Sequence, residues 1–191
     1  MKTRIAIFAS GTGSNAERFM EHFKSSQAAE IALVLSNKAE AGVLEKAHIR
    51  NVPTVVVSNK EAASGEFMCS LMESHKIDFI VLAGYMRLIP IELTRAFDRR
   101  MVNIHPALLP KYGGKGMYGG HVHKAVIASE EKESGITIHY VNEVYDEGEV
   151  LFQAKCVVTP NDDANTLAQK IHQLEHQHYP LVVEQLLVTS L

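Results

Sequence analysis

Arg4-Ile5-Ala6-Ile7-Phe8-Ala9-Ser10-Gly11-Thr12-Gly13-Ser14-Asn15 reads as a buried strand, a glycine turn and the opening of a helix. The apolar run has the length of a strand, and Gly11 and Gly13 mark its end. Beyond the turn, Ala16, Phe19, Met20 and Phe23 recur at helical spacing and form one apolar stripe. The same alternation continues downstream. Ile31–Leu35 predicts a second strand, Ala39–Arg50 a helix, and Thr54–Val57, Phe79–Ala83 and Met101–Ile104 three further strands. Phe67, Met68, Leu71 and Met72 mark a helix between two of them. Pro90 suits the first turn of a short helix carrying Leu93 and Phe97. Gly135–Val141 and Val150–Val158 are long and close enough in sequence to pair antiparallel at a sheet edge. A last helix starts near Asp163 with Leu167, Ile171 and Leu174, and Pro180 is expected to kink or break it. The predicted class is α/β and Rossmann-like, a mostly parallel twisted sheet with helices on both faces and an antiparallel edge. One domain over residues 1–191 is the expectation.

The glycine turn carries chemistry as well as shape. Glycines let backbone amides approach an anion, and a helix N-terminus adds unpaired N–H donors and a favourable dipole. A dinucleotide site of this kind usually has an acid about 20 residues on, at the end of the second strand. Here that strand ends in Ser36-Asn37-Lys38. Ser14 and Asn15 add side-chain donors instead, which suits a terminal monophosphate held end-on. The plainer alternative is a turn capped by Asn15 with no ligand.

A net charge of −3 without a basic run argues against a protein that grips nucleic acid through its phosphates. Of 191 residues, 46% are hydrophobic, enough for a sizeable core, yet no run approaches a membrane span or a signal-peptide core. The only cysteines, Cys69 and Cys156, are far apart, which fits a reduced, cytoplasmic protein. Ten histidines raise the question of a metal. However, His121-Val122-His123 and Glu175-His176-Gln177-His178 match no usual zinc spacing, and no metal is expected. His22, His48 and His75 read as solvent-facing. Five glycines between Lys111 and Gly120 predict a mobile surface loop.

Val102-Asn103-Ile104-His105-Pro106 is the second chemical signal. Alternate residues of a strand share a face, so Asn103 and His105 stand together as a neutral donor and a titratable imidazole. That pair suits an oxygen gaining negative charge, and Asp146 could supply a carboxylate that favours the imidazolium. The plain reading is a strand end whose polar side chains satisfy loop backbone.

These segments together resemble the phosphoribosylglycinamide formyltransferases nearly end to end. The resemblance rests on Gly11–Asn15, Val34–Lys38, Leu82-Ala83-Gly84-Tyr85-Met86-Arg87, Asn103–Tyr112, Gly135–His139, Asp146 and Glu175-His176. It implies a Rossmann-like formyltransferase fold that moves a formyl group from 10-formyltetrahydrofolate to the amine of glycinamide ribonucleotide in purine biosynthesis, without a metal. By the same resemblance Asn103, His105 and Asp146 are catalytic, with Thr137 and His139 supporting them. Gly13, Ser14 and Asn15 would hold the substrate phosphate, and Glu175 its glycinamide end. Met86, Arg87, Leu88 and Ile89, with Asn103, would line the folate pocket. The chain departs from the shorter bacterial pattern in its longer glycine-rich loop and in Glu147 after Asp146. Two other readings stay open: a formyl-folate enzyme with another acceptor, and a nucleotide-phosphate-binding module without catalysis. The oligomeric state is not legible.

Overall fold

The computed structural model describes residues 1–189. Its centre is a seven-stranded sheet in the order β3-β2-β1-β4-β5-β6-β7. The strands are β1 (Thr3–Phe8), β2 (Ala29–Ser36), β3 (Thr54–Val56), β4 (Phe79–Leu82), β5 (Met101–His105), β6 (Glu133–Tyr140) and β7 (Val150–Val157). The first five run parallel; β6 and β7 are antiparallel, as expected from their short connection. Seven α-helices surround the sheet: α1 (Ser14–His22), α2 (Gly42–Ile49), α3 (Asn59–Ala62), α4 (Gly65–Ser74), α5 (Ile91–Ala96), α6 (Gly120–Ala128) and α7 (Ala164–Thr189).

β1 is buried on both faces, which is why its sequence is continuously apolar. Ile5 and Ile7 face a core completed by α1, α2, α6 and α7, where Phe19, Val43, Val126, Ile171 and Tyr179 meet. Ala6 and Phe8 face a second core with Met68 and Met72 of α4 and Leu93 of α5. Strand order reverses between β1 and β4, and at such a switch the loops leaving the two strands diverge and open a crevice at their carboxyl ends.

Two expectations need correction. The second helix begins at Gly42, not Ala39. Its N-terminus is docked on the glycine turn, with Val43 N–H donating to the Gly11 carbonyl at 3.2 Å, so residues 39–41 are used to reach that position. Of the kink or break expected at Pro180, the break does not occur: α7 continues to Thr189. Pro180 removes one backbone donor, but Tyr179 and Val183 on either side are fully buried and hold the helix against the sheet. The Tyr179 hydroxyl lies 3.0 Å from the Leu82 carbonyl and 3.2 Å from that of Val102, tying α7 to the last residue of β4 and the second of β5.

Candidate active site

A cavity of about 580 Å³ opens at the carboxyl ends of β1, β4 and β5. Its walls are Gly11–Asn15, Leu82–Ile89, Asn103–Pro106, Gly114–Gly119 and Asp146, together with His123, His139, His172 and Glu175. On one side lies the glycine turn. Gly13 has φ +74°, and a Cβ there would come within 2.5 Å of the Val43 Cβ. Only glycine permits both the left-handed backbone and the close approach of α2. Ser10 secures the turn from behind: its hydroxyl donates to Asn37 Oδ1 (2.6 Å) and accepts from Met86 N–H (2.9 Å). Asn15 does not cap α1. Its Nδ2 donates to Glu175 Oε2 at 3.0 Å, and its Oδ1 is buried without a partner.

Glu175 is therefore not the solvated helix residue that its sequence context alone would favour. It is 6% exposed, and burial raises its pKa against the opposing effects of the Asn15 N–H and His172. Next to the glycine turn, Met86, Arg87 and Leu88 are exposed on the turn after β4, while Ile89 is buried in the second core and contributes only wall.

Asn103, His105 and Asp146 converge at the centre. His105 Nδ1 is 3.5 Å from Asp146 Oδ2, and Asp146 Oδ1 is 3.7 Å from His139 Nε2. The register pairs Asn103 with His139 and His105 with Thr137 across β5 and β6, so all four side chains share one face. Carbonyl partners settle the ring hydrogens. His105 Nε2 is 2.8 Å from the Tyr112 carbonyl and must donate, which leaves Nδ1 as the open basic site of the neutral ring. His139 Nδ1 donates to the Tyr140 carbonyl at 2.8 Å, so its Nε2 accepts from Asn103 Nδ2 at 3.2 Å. One amide hydrogen of Asn103 is thereby held and the other remains available.

The electrostatic balance corrects one expectation. Asp146 does push the pKa of His105 upward, but burial pushes it down by more, and the net direction is below the ordinary value. Burial thus favours the neutral form of His105. Burial opposes ionisation of Asp146 as well, yet His139, His105 and the Gly114 N–H (2.9 Å) together hold its pKa below the usual carboxylate range. Thr137 steers the backbone around His105. Its hydroxyl donates to the Ala107 carbonyl (2.7 Å) and accepts from Leu109 N–H (3.0 Å). The loop after Tyr140 is forced close to β6 at Gly148, where a Cβ would overlap the Tyr140 carbonyl oxygen.

His123 and His172 escaped sequence reasoning. His123 stands in the first turn of α6, 3% exposed, with an unpartnered Nδ1 and a pKa lowered by burial to about 4. Its neighbours in sequence carry no sign of this. His172 was findable, since it precedes Glu175 by one helical turn and shares its face. Two of the three histidines expected to face solvent do not. His22 is partly buried and within 2.8 Å of Glu184, and His75 packs its ring against the Leu71 carbonyl. Among the described residues no group of three or more His, Cys, Asp or Glu side chains is arranged to hold a metal ion. No helix among them is long and apolar enough to cross a membrane.

A family profile described as formyl transferase matches residues 3–183. The chain belongs to the formyl transferase family. Among similar proteins, a chloroplastic phosphoribosylglycinamide formyltransferase of Vigna unguiculata is 43% identical over 97% of this chain and 61% of its own length. The Bacillus subtilis phosphoribosylglycinamide formyltransferase is 36% identical, over 96% of this chain and 94% of its own. The solved phosphoribosylglycinamide formyltransferase of Bacillus halodurans superposes with a TM-score of 0.88 at 36% identity, covering 99% of this chain and 97% of that one. The chain spans 61% and 64% of the length of the two plant relatives it matches. The superposition on the Bacillus halodurans protein covers nearly the whole chain and so takes in its mostly parallel sheet with the antiparallel edge.

Proposed function

We propose that residues 1–191 form one formyl-transferring domain, which moves the formyl group of 10-formyltetrahydrofolate to the amine of glycinamide ribonucleotide, a step of purine biosynthesis. The observation that carries this reading is the convergence of Asn103, His105 and Asp146 in a cavity with two chemically different sides. Its volume of about 580 Å³ falls within the roughly 300–1,000 Å³ common for small-molecule sites. The side formed by Gly13, Ser14, Asn15 and Glu175 combines a glycine turn with a carboxyl and one unsatisfied acceptor atom, Asn15 Oδ1, which fits a phosphorylated, amine-bearing acceptor. Met86, Leu88 and Ile89 make the wall on the turn after β4 apolar, with Arg87 among them, which fits a flat ring system with an acidic tail. The names of the similar proteins agree with this acceptor.

Formyl folate supplies an activated formyl carbon on a nitrogen that can leave. The remaining work falls to the chain. Glu175 and the amides of the glycine turn hold the acceptor. The free N–H of Asn103 points its dipole at the oxygen that gains negative charge as the acceptor amine adds. His105 takes the amine's proton at Nδ1, becomes an imidazolium beside that oxygen, and returns the proton to the departing nitrogen. Asp146 stabilises the imidazolium for as long as it exists. The group transferred comes from the folate, and no metal is assigned a part. Two free cysteines accord with a reducing compartment, and we assign the activity to the cytoplasm, although both plant relatives are named as chloroplastic.

The test is to mix the protein with 10-formyltetrahydrofolate and follow folate release with and without glycinamide ribonucleotide. Release that requires the ribonucleotide is expected. Release without it would make the protein a hydrolase, and none under either condition would leave a binding module.

A further inference from the structure

We propose that Lys115 is the cation that neutralises the phosphate of the ribonucleotide acceptor, completing from the glycine loop a cradle whose amides come from Gly13–Asn15. The inference rests on the acceptor reading above and adds a binding residue to it. The segment Gly11–Asn15 contains no lysine or arginine. Around α1, Lys46 and Arg50 are both committed to Glu17, and Arg18 pairs with Glu21. Among the described residues, lysine and arginine line the cavity at two positions, Arg87 and Lys115, against two carboxyls, Asp146 and Glu175. Lys115 is exposed and makes no ion pair or hydrogen bond among the described residues.

Its place in the fold decides which ligand it serves. Tyr112 and Met117, on either side of it, pack against the core shared by α1, α2, α6 and α7. That is the layer that carries the glycine turn and Glu175. Arg87 lies on the turn into α5, on the other layer. On that basis we assign Lys115 to the acceptor and Arg87 to the folate. Buried polar atoms without partners line the cavity on both layers: Tyr85 Oη on that of Arg87, and two on that of the glycine turn. His123 Nδ1 is in a side chain 97% buried by the fold, and Asn15 Oδ1 is buried beside Glu175. Gly114 and Gly116, both at φ +91°, flank the lysine with open space around them, and the Gly114 N–H anchors the loop to Asp146. The cation is thus tethered at one end to the catalytic carboxylate and unobstructed at the other.

The experiment compares glycinamide ribonucleotide with the corresponding riboside, which lacks the phosphate, in wild type, Lys115→Met and Lys115→Arg. A charge-assisted contact of this kind is expected to be worth about tenfold in KM. Lys115→Met should therefore raise the ribonucleotide KM by about that factor, with kcat and the folate KM little changed, and should reduce the preference for ribonucleotide over riboside equally. Lys115→Arg should retain most of that preference, and the salt dependence of ribonucleotide kcat/KM should flatten in Lys115→Met. Equal losses on riboside and ribonucleotide, a rise confined to the folate KM, or no change in Lys115→Met would each overturn the assignment while leaving the acceptor reading standing. A wild-type protein that does not use the ribonucleotide overturns both.

Discussion

Replacing Asn103 and His139, singly and together, separates a group that touches the reacting oxygen from one that aims it. Asn103 Nδ2 has two hydrogens, and one donates to His139 Nε2 at 3.2 Å. Asn103→Ala thus deletes one oxyanion donor, which is expected to lower kcat by about a hundred- to a thousandfold, or roughly 3–4 kcal/mol of barrier. His139→Ala leaves that donor present but unaimed, and a misplaced catalytic group costs up to roughly a hundredfold. If His139 acts through Asn103, its removal should cost almost nothing in the Asn103→Ala background, and the double variant should match Asn103→Ala within about threefold. Steady-state kcat and KM for both substrates provide the cycle, and urea unfolding of each variant checks that the buried His139 site still folds. Fully multiplicative losses would refute the aiming role. Near-normal turnover in Asn103→Ala would refute the oxyanion role itself.

Two further substitutions test the electrostatics and the scaffold. Asp146→Asn removes the charge that opposes the burial of His105, so the pKa of His105 should fall further. Because the neutral ring is the active base, the acidic limb of the kcat/KM profile should move to lower pH while the plateau drops; an unmoved limb would count against the pairing. Tyr179→Phe leaves two strand carbonyls without the buried hydroxyl that now bridges them. It should lose about 1–3 kcal/mol in urea unfolding, with KM values preserved in the folded fraction.

Much of this chain is legible locally. Strand and helix identity follows from short-range periodicity, and the buried faces of β1, β2 and β4 show up as unbroken apolar runs. Asn103 and His105 are two apart on a strand, so their common face is a matter of pleat alone. Helix boundaries were less legible where docking overrides propensity. Ala39-Glu40-Ala41 would favour a helix, but the contact of α2 with the glycine turn draws them out of it. Pro180 shows the converse, a local signal for a break overruled by burial on both sides.

The amino-acid sequence by itself determined the alternating α/β plan, the glycine turn after β1 and the donor–imidazole pair at the end of β5, because each depends on neighbours within a few residues. Tertiary structure alone decided that Glu175 is buried against Asn15, that His123 reaches the same cavity, and which ring nitrogen of His105 is free. It also decided the sign of the perturbation on His105. Burial depth and a carboxylate 41 positions away act in opposition there, and their balance is set by how closely β5, β6 and the loop bearing Asp146 pack. No local pattern encodes that distance.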